Sequence, residues 1–136
     1  MGRPRIGSAG IDAPFCYLTT TGRRTGRPHA IEIWFATDAG GSTLYLMSGG
    51  RDAADWVRNV RAEPGVSVRV GSGPWCRATA RAVEEGTDED ARARRLVLGK
   101  YQSPGTHDLE RFGRQALVIA VDVGQDEGGT RTSITT

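Results

Sequence analysis

The stretch from His29 to Thr37, the turn Asp38-Ala39-Gly40-Gly41-Ser42 behind it and the run from Thr43 to Met47 constrain the fold more than any other feature. Ile31, Ile33 and Phe35 alternate with Glu32 and Trp34, which is the period of a strand with one face buried. A short turn rich in Gly and Asp reverses the chain, and a second β-favouring run follows directly. Strands joined this tightly run antiparallel, because parallel neighbours need a crossover of about a dozen residues or more.

The same grammar recurs along the chain. Phe15 to Thr20 is a short β-favouring run ended by the turn Gly22 to Pro28. Val66, Val68 and Val70 alternate with Ser67 and Arg69, then Gly71-Ser72-Gly73-Pro74 turns the chain into an alternating run from Trp75 to Val83. Ala116 to Val123 is the last predicted strand. Two helices interrupt the strands. One spans Asp52 to Ala62, is opened by Ser48-Gly49-Gly50 and is stopped by Glu63-Pro64-Gly65. The other runs from Thr87 to about Tyr101, with Asp88, Glu89 and Asp90 at the positive end of its dipole. A further helical turn is expected around Leu109 to Phe112. The order β-β-β-α-β-β-α-β predicts a mainly antiparallel barrel of about six strands with two to three flanking helices, and it excludes the regular alternation of a Rossmann fold. Residues 1–13 lack periodicity and read as a flexible arm, 14–123 as the barrel domain, and 124–136 as a disordered tail.

A chain of 136 residues with 38% hydrophobic and 25% charged side chains fits one globular domain that needs no staple. No apolar run approaches the roughly 18 residues of a membrane span, so no integral membrane segment is expected. The basic start, Met1 to Arg5, has no apolar segment after it, which argues against a secretory signal. Cys16 and Cys76 lie far apart and read as free thiols in a cytoplasmic protein. A net charge of +2 makes no case for nucleic acid. Of 18 basic residues only Lys100 is lysine. Arginine suits bidentate phosphate recognition, but GC-rich coding produces the same bias, so only position singles out individual arginines.

The chemistry is narrowed by what is missing. His29 and His107 are the only histidines, and no metal-type spacing joins them, so no metal site is expected. There is no nucleophile elbow and no P-loop. The carboxylates at 84–90 read as a solvated loop and helix start. A chain without these groups can still catalyse if a cofactor supplies the reactive atoms. Two segments could hold one. The turn from Thr19 to Arg27 offers hydroxyls including Thr21, two glycines and the cations Arg23, Arg24 and Arg27, the donor set that a phosphate needs. The strand end Ser48-Gly49-Gly50-Arg51 feeds a helix whose free N–H groups attract anions. Each also reads as an ordinary loop. Trp56 is expected in the core, and Asn59 points either at a ligand or at a loop.

The run Leu18 to Pro28 with its Thr-Thr-Thr-Gly-Arg-Arg-Thr-Gly core, the strand from Ile31 to Phe35, Ser48-Gly49-Gly50, and Trp56, Asn59, Val60, Ala62 and Pro64 resemble the deazaflavin-dependent nitroreductase family. That family belongs to the flavin and deazaflavin oxidoreductases with a split β-barrel, similar to pyridoxamine phosphate oxidases. The similarity covers roughly residues 15–123. It implies a split barrel and the deazaflavin coenzyme F420, with hydride delivered to a quinone, a nitroaromatic or an activated enone. It places the phosphate-bearing tail at Arg23 and Arg24, and the ring near Ile33 and Trp34 and against Ser48, Gly49 and Gly50. Asn59 matches the family's helix asparagine. Tyr101 falls where members place tyrosines over the substrate pocket, as proton donor or pocket wall. The lysine of many members' loop is absent here, and Arg51 stands directly after it. FMN is the alternative cofactor for the same phosphate-binding residues, and a non-catalytic barrel that sequesters a cofactor or lipid is the alternative outside enzymology. By analogy of fold the chain is expected to form a homodimer.

Overall fold

The computed structural model describes residues 13–101 and 108–124. The predicted arm (save Ala13) and tail (save Gly124) lie outside the described residues, as do Gln102 and His107. The strands are β1 (Cys16–Thr21), β2 (Pro28–Ile33), β3 (Ala36–Thr37), β4 (Thr43–Ser48), β5 (Gly65–Val70), β6 (Trp75–Ala82) and β7 (Leu117–Val123). The α-helices are α1 (Asp55–Ala62), α2 (Asp88–Tyr101) and α3 (Asp108–Gln115), and a 3₁₀ turn spans Arg51–Ala53.

All seven strands form one antiparallel sheet in the order β2-β1-β5-β6-β7-β4-β3. This order corrects one feature of the sequence reading. The alternating stretch from His29 to Thr37 is two strands, broken at Trp34 and Phe35. Its first half pairs with β1, and only Ala36 and Thr37 pair with the strand after the turn. The two halves stand at opposite edges of the sheet, yet only two residues join them. That link spans at most about 11 Å, so the sheet must curl until its edges nearly meet. The result is the split β-barrel that the resemblance implies, with Trp34 and Phe35 on its seam.

The strand pattern shows which faces are covered. β1 and β5 alternate, with Cys16, Leu18, Val66, Val68 and Val70 inside the barrel. β4 and β7 are buried on both faces. Leu44, Leu46, Ile119 and Val121 fill the barrel, whereas Tyr45, Met47, Val118 and Ala120 lie under α2 through Ala93 and Val97. Phe35 is wholly buried in the barrel interior, while Trp34 is 37% exposed and stacks on Tyr101 of α2. One face of the Trp34 ring is therefore covered by a helix residue. The turn at 38–42 forms as expected, with Asp38 Oδ1 accepting from the Ser42 and Thr43 amides at 3.0 and 3.3 Å.

An ionic clasp fastens α2 to the sheet. Arg81 donates to both oxygens of Glu89 at 2.8 Å each and to Asp122 Oδ2 at 2.7 Å, and the Tyr45 hydroxyl donates to Glu89 Oε2 at 2.8 Å. The Arg81 guanidinium, more than any other group, holds the Glu89 carboxyl down at about 2, below its ordinary value of 4.5. A carboxyl whose folded pKa is depressed stabilises the fold above its unfolded pKa, and the benefit is lost as pH falls through the folded one. Urea midpoints should therefore decline between pH 4.5 and 2 more steeply in the wild type than in Glu89→Gln. Equal slopes would show that the clasp carries no net stability.

Both cysteines are free thiols. Burial pushes the Cys16 thiol up to about 12, whereas Cys76 is half-buried. A thiol reagent at pH 8 should modify Cys76 and spare Cys16 until the barrel unfolds, which mass spectrometry of the labelled peptides checks.

Candidate functional site

The turn between β1 and β2 is held by its own backbone. The Gly22 amide donates to Arg27 O at 2.7 Å, and the Gly26 amide donates to Gly22 O at 2.8 Å. Gly26 has φ +75°, a conformation that favours glycine. At Gly22 the constraint is space, since a Cβ there would stand 2.7 Å from His29 Nε2.

Helix α1 lies beside this turn and anchors it through Asn59, which is only 5% exposed. The Asn59 Nδ2 donates to Thr20 Oγ1 at 3.1 Å. Its Oδ1 accepts from the Arg23 amide at 3.2 Å and from Arg23 Nη1 at 2.9 Å. One carboxamide thus joins the strand, the turn and the guanidinium. Asp55, one helical turn before Asn59, accepts from Arg23 Nη2 at 3.3 Å. Its side chain is 85% exposed, so that pair adds little beyond orientation. Between turn and helix opens a cleft of about 440 Å³, bounded by Arg23, Arg24, Thr25, His29, Trp56 and Asn59. Two guanidiniums and one solvated carboxylate line it, so the local charge is positive. The guanidinium forks and the hydroxyl-bearing turn are a donor set that fits a phosphate-bearing tail.

The other expected site residues fall in two further places. Trp34 and Tyr101 form a stack at the barrel seam, with ring centres 4.4 Å apart and planes 4° from parallel. The Tyr101 oxygen accepts from the Phe35 amide at 3.1 Å, and its hydroxyl is placed to donate to Pro14 O at 2.8 Å or Phe35 O at 3.0 Å. Burial raises its phenol above the ordinary value. The third place is the end of β4. Ser48 is buried and donates through Oγ to Arg51 O at 3.1 Å, while Gly49 lies against the Phe112 ring of α3 and Gly50 precedes the 3₁₀ turn. The Arg51 guanidinium donates to Gln115 O and to Glu85 Oε2, each at 2.6 Å. Ile33 packs on the barrel core, and its neighbour on the same face, Ile31, lines the cleft instead. Thr21 ends β1 opposite Pro28, and it is the Thr20 hydroxyl that meets Asn59.

The structure therefore gathers Arg23, Arg24 and Asn59 into one cleft. Sequence reasoning missed Thr20, Asp55 and His29. The spacing of Asp55 and Asn59, one helical turn apart, was the available signal for a face turned toward the arginines.

Known proteins extend this picture. A family described as F420H(2)-dependent quinone reductase matches residues 3–123. A solved F420-H2 dependent reductase is 26% identical, with 80% of this chain and 94% of that one aligned at a TM-score of 0.62. A solved domain-swapped dimer is also 26% identical, with 80% of each chain aligned at 0.63. The haem storage protein HutZ from Vibrio cholerae shares the fold at 12% identity, with 84% of each chain aligned at 0.66. FMN and the non-catalytic barrel give way as alternatives, because a match over nearly the whole chain carries both activity class and coenzyme. The chain belongs to the F420H(2)-dependent quinone reductase family, oxidoreductases whose coenzyme is the deazaflavin F420.

Proposed function

We propose that this reductase passes a hydride to a small electrophilic acceptor of the quinone, nitroaromatic or activated enone class, and that it works as a cytoplasmic homodimer. The observation that carries the reading is the Arg23–Asn59–Thr20 chain, which fixes the Arg23 guanidinium at a cleft that Arg24 also lines. Arg23 and Arg24 hold the phosphate-bearing tail, with the Thr25 hydroxyl beside them. The flat Trp34–Tyr101 stack supplies an apolar wall, and the Ser48 to Gly50 backbone borders the ring. When bound, the reduced deazaflavin supplies the hydride. The protein orients the partners and excludes water, because transfer needs ring and acceptor held at near-attack distance. Tyr101 acts as pocket wall, since its hydroxyl is already committed to the backbone of Pro14 and Phe35. The dimer rests on the solved domain-swapped relative. Among the described residues no helix is long and apolar enough to cross a membrane.

Titration with F420, following quenching of the three tryptophans, tests the reading. Saturable quenching, with turnover of a quinone or nitroaromatic by the reduced coenzyme, is the expected result. Binding without turnover of any of the three acceptor classes would sink the acceptor assignment and leave the coenzyme site standing.

A further inference from the structure

Among the described residues Arg51 is the only non-glycine with a left-handed backbone, at φ 52°. That conformation is disfavoured for an L-residue and persists only where the surroundings over-determine it. Three contacts do so here. Ser48 Oγ donates to the Arg51 carbonyl at 3.1 Å. Nη1 donates to the carbonyl of Gln115, the last residue of α3, at 2.6 Å, and Nη2 pairs with Glu85 at 2.6 Å. Glu85 also lies 3.7 Å from Arg94 Nη2, while Arg94 Nη1 donates to Gly113 O at 2.6 Å and Nε donates to Asp90 at 3.1 Å. Two arginines braced by one glutamate thus cap the carbonyl end of α3, where the helix dipole is negative. The same helix sets Phe112 against Gly49, where a Cβ would stand 3.1 Å from the ring. Gly113 packs so closely on Leu98 of α2 that a Cβ there would collide with its Cδ1. The β4 loop and the end of α3 therefore share one clamp.

We propose that Arg51 is a positioning residue for the ring end of the coenzyme site, holding Gly49, Gly50 and Phe112 as one wall, and that it does not meet the phosphate. The inference rests on the reading that the Ser48 to Gly50 loop borders the deazaflavin ring. The Arg51 guanidinium is paired with Glu85 at 2.6 Å, whereas Arg24 stands exposed at the cleft mouth.

Two ligands separate the ends of the site. F420 carries ring and phosphate, and its fragment 7,8-didemethyl-8-hydroxy-5-deazariboflavin carries the same ring and sugar alcohol without phosphate. Dissociation constants for both are measured by tryptophan quenching on the wild type, Arg51→Ala, Glu85→Gln and the double variant Arg23→Ala/Arg24→Ala. Arg51→Ala and Glu85→Gln are expected to weaken both ligands by the same factor, about tenfold for one charge-assisted contact. The double variant is expected to weaken F420 alone. Glu85→Gln leaves the Arg51 charge in place, so it parts positioning from phosphate binding. If Arg51→Ala fails to fold, Arg51→Gly, which accepts the backbone conformation, replaces it. If the fragment binds too weakly to titrate, the visible absorption band of bound F420 must move toward its free position in both variants, and an unmoved band overturns the proposal. Loss of F420 but not fragment affinity in Arg51→Ala would make Arg51 a phosphate ligand. Unchanged affinities would show that the clamp stops short of the site. A wild type that binds neither ligand would overturn the coenzyme reading, and this inference with it.

Discussion

Arg24→Ala should weaken F420 binding about ten- to a hundredfold while leaving the unfolding midpoint within about 2 °C. Arg24 is exposed on the turn at the mouth of the cleft, so its removal resembles an ordinary surface substitution. A guanidinium on a phosphate contributes about 1.5–3 kcal/mol, which sets the affinity loss. Arg23→Ala should cost a similar factor in binding and, in addition, several degrees of midpoint. Arg23 Nη1 shares Asn59 Oδ1 with its own amide, so the variant strips one bond from a carboxamide that is 5% exposed. The double variant should lose about two to four orders of magnitude in affinity. Both effects are read by tryptophan quenching beside a thermal melt. The affinity of the wild type should also fall with added salt, because an exposed cation on an anion is screened. Wild-type affinity in Arg24→Ala would mean that the turn is only the solvated tip of a hairpin.

The turn was legible because its chemistry is local. Two glycines, the hydroxyls and adjacent arginines sit within one short stretch, and a phosphate needs those groups together. Most strands were legible for a similar reason, since alternation is a property of neighbours in sequence. The break at Trp34 and Phe35 was not legible. Ile31, Ile33 and Phe35 keep their period through it, and it exists only because the two sheet edges must share one chain to close the barrel. Pairing partners were hidden in the same way. The turn at 38–42 suggests a hairpin of equal arms, yet the arm before it gives only two residues to that pair. Helix α3 runs over eight residues where a single turn was expected, because Leu109 to Phe112 alone carries the apolar signal while Gly113 permits close packing on Leu98. Arg51 was read with the anion-binding residues on the strength of its neighbours Gly49 and Gly50. Its side chain instead reaches residues 34 and 64 positions away, and no local pattern encodes such contacts.

The second large effect is expected at the seam. Tyr101→Ala should lower stability by about 3–5 kcal/mol, in line with the removal of a packed aromatic. Its ring covers Trp34, the residue at which the strand breaks, and its oxygen accepts from the Phe35 amide. Truncation leaves that amide without its partner and exposes the face of Trp34, so tryptophan emission should shift to the red as the melting midpoint falls. Tyr101→Phe separates the two contributions. The ring and its stack remain while the hydroxyl bonds to Pro14 and Phe35 vanish, so the loss should shrink to about 1–3 kcal/mol. The same variant distinguishes wall from proton donor. Burial raises the phenol and keeps it neutral, so the hydroxyl bonds stabilise the fold below about pH 10 and weaken as pH rises beyond that. A wall needs only the ring. Turnover by Tyr101→Phe should then stay within a few-fold of wild type with the same pH profile near neutrality. General-acid catalysis contributes about 10²–10⁴-fold, so a loss of that size with a displaced profile would instead assign the proton to Tyr101.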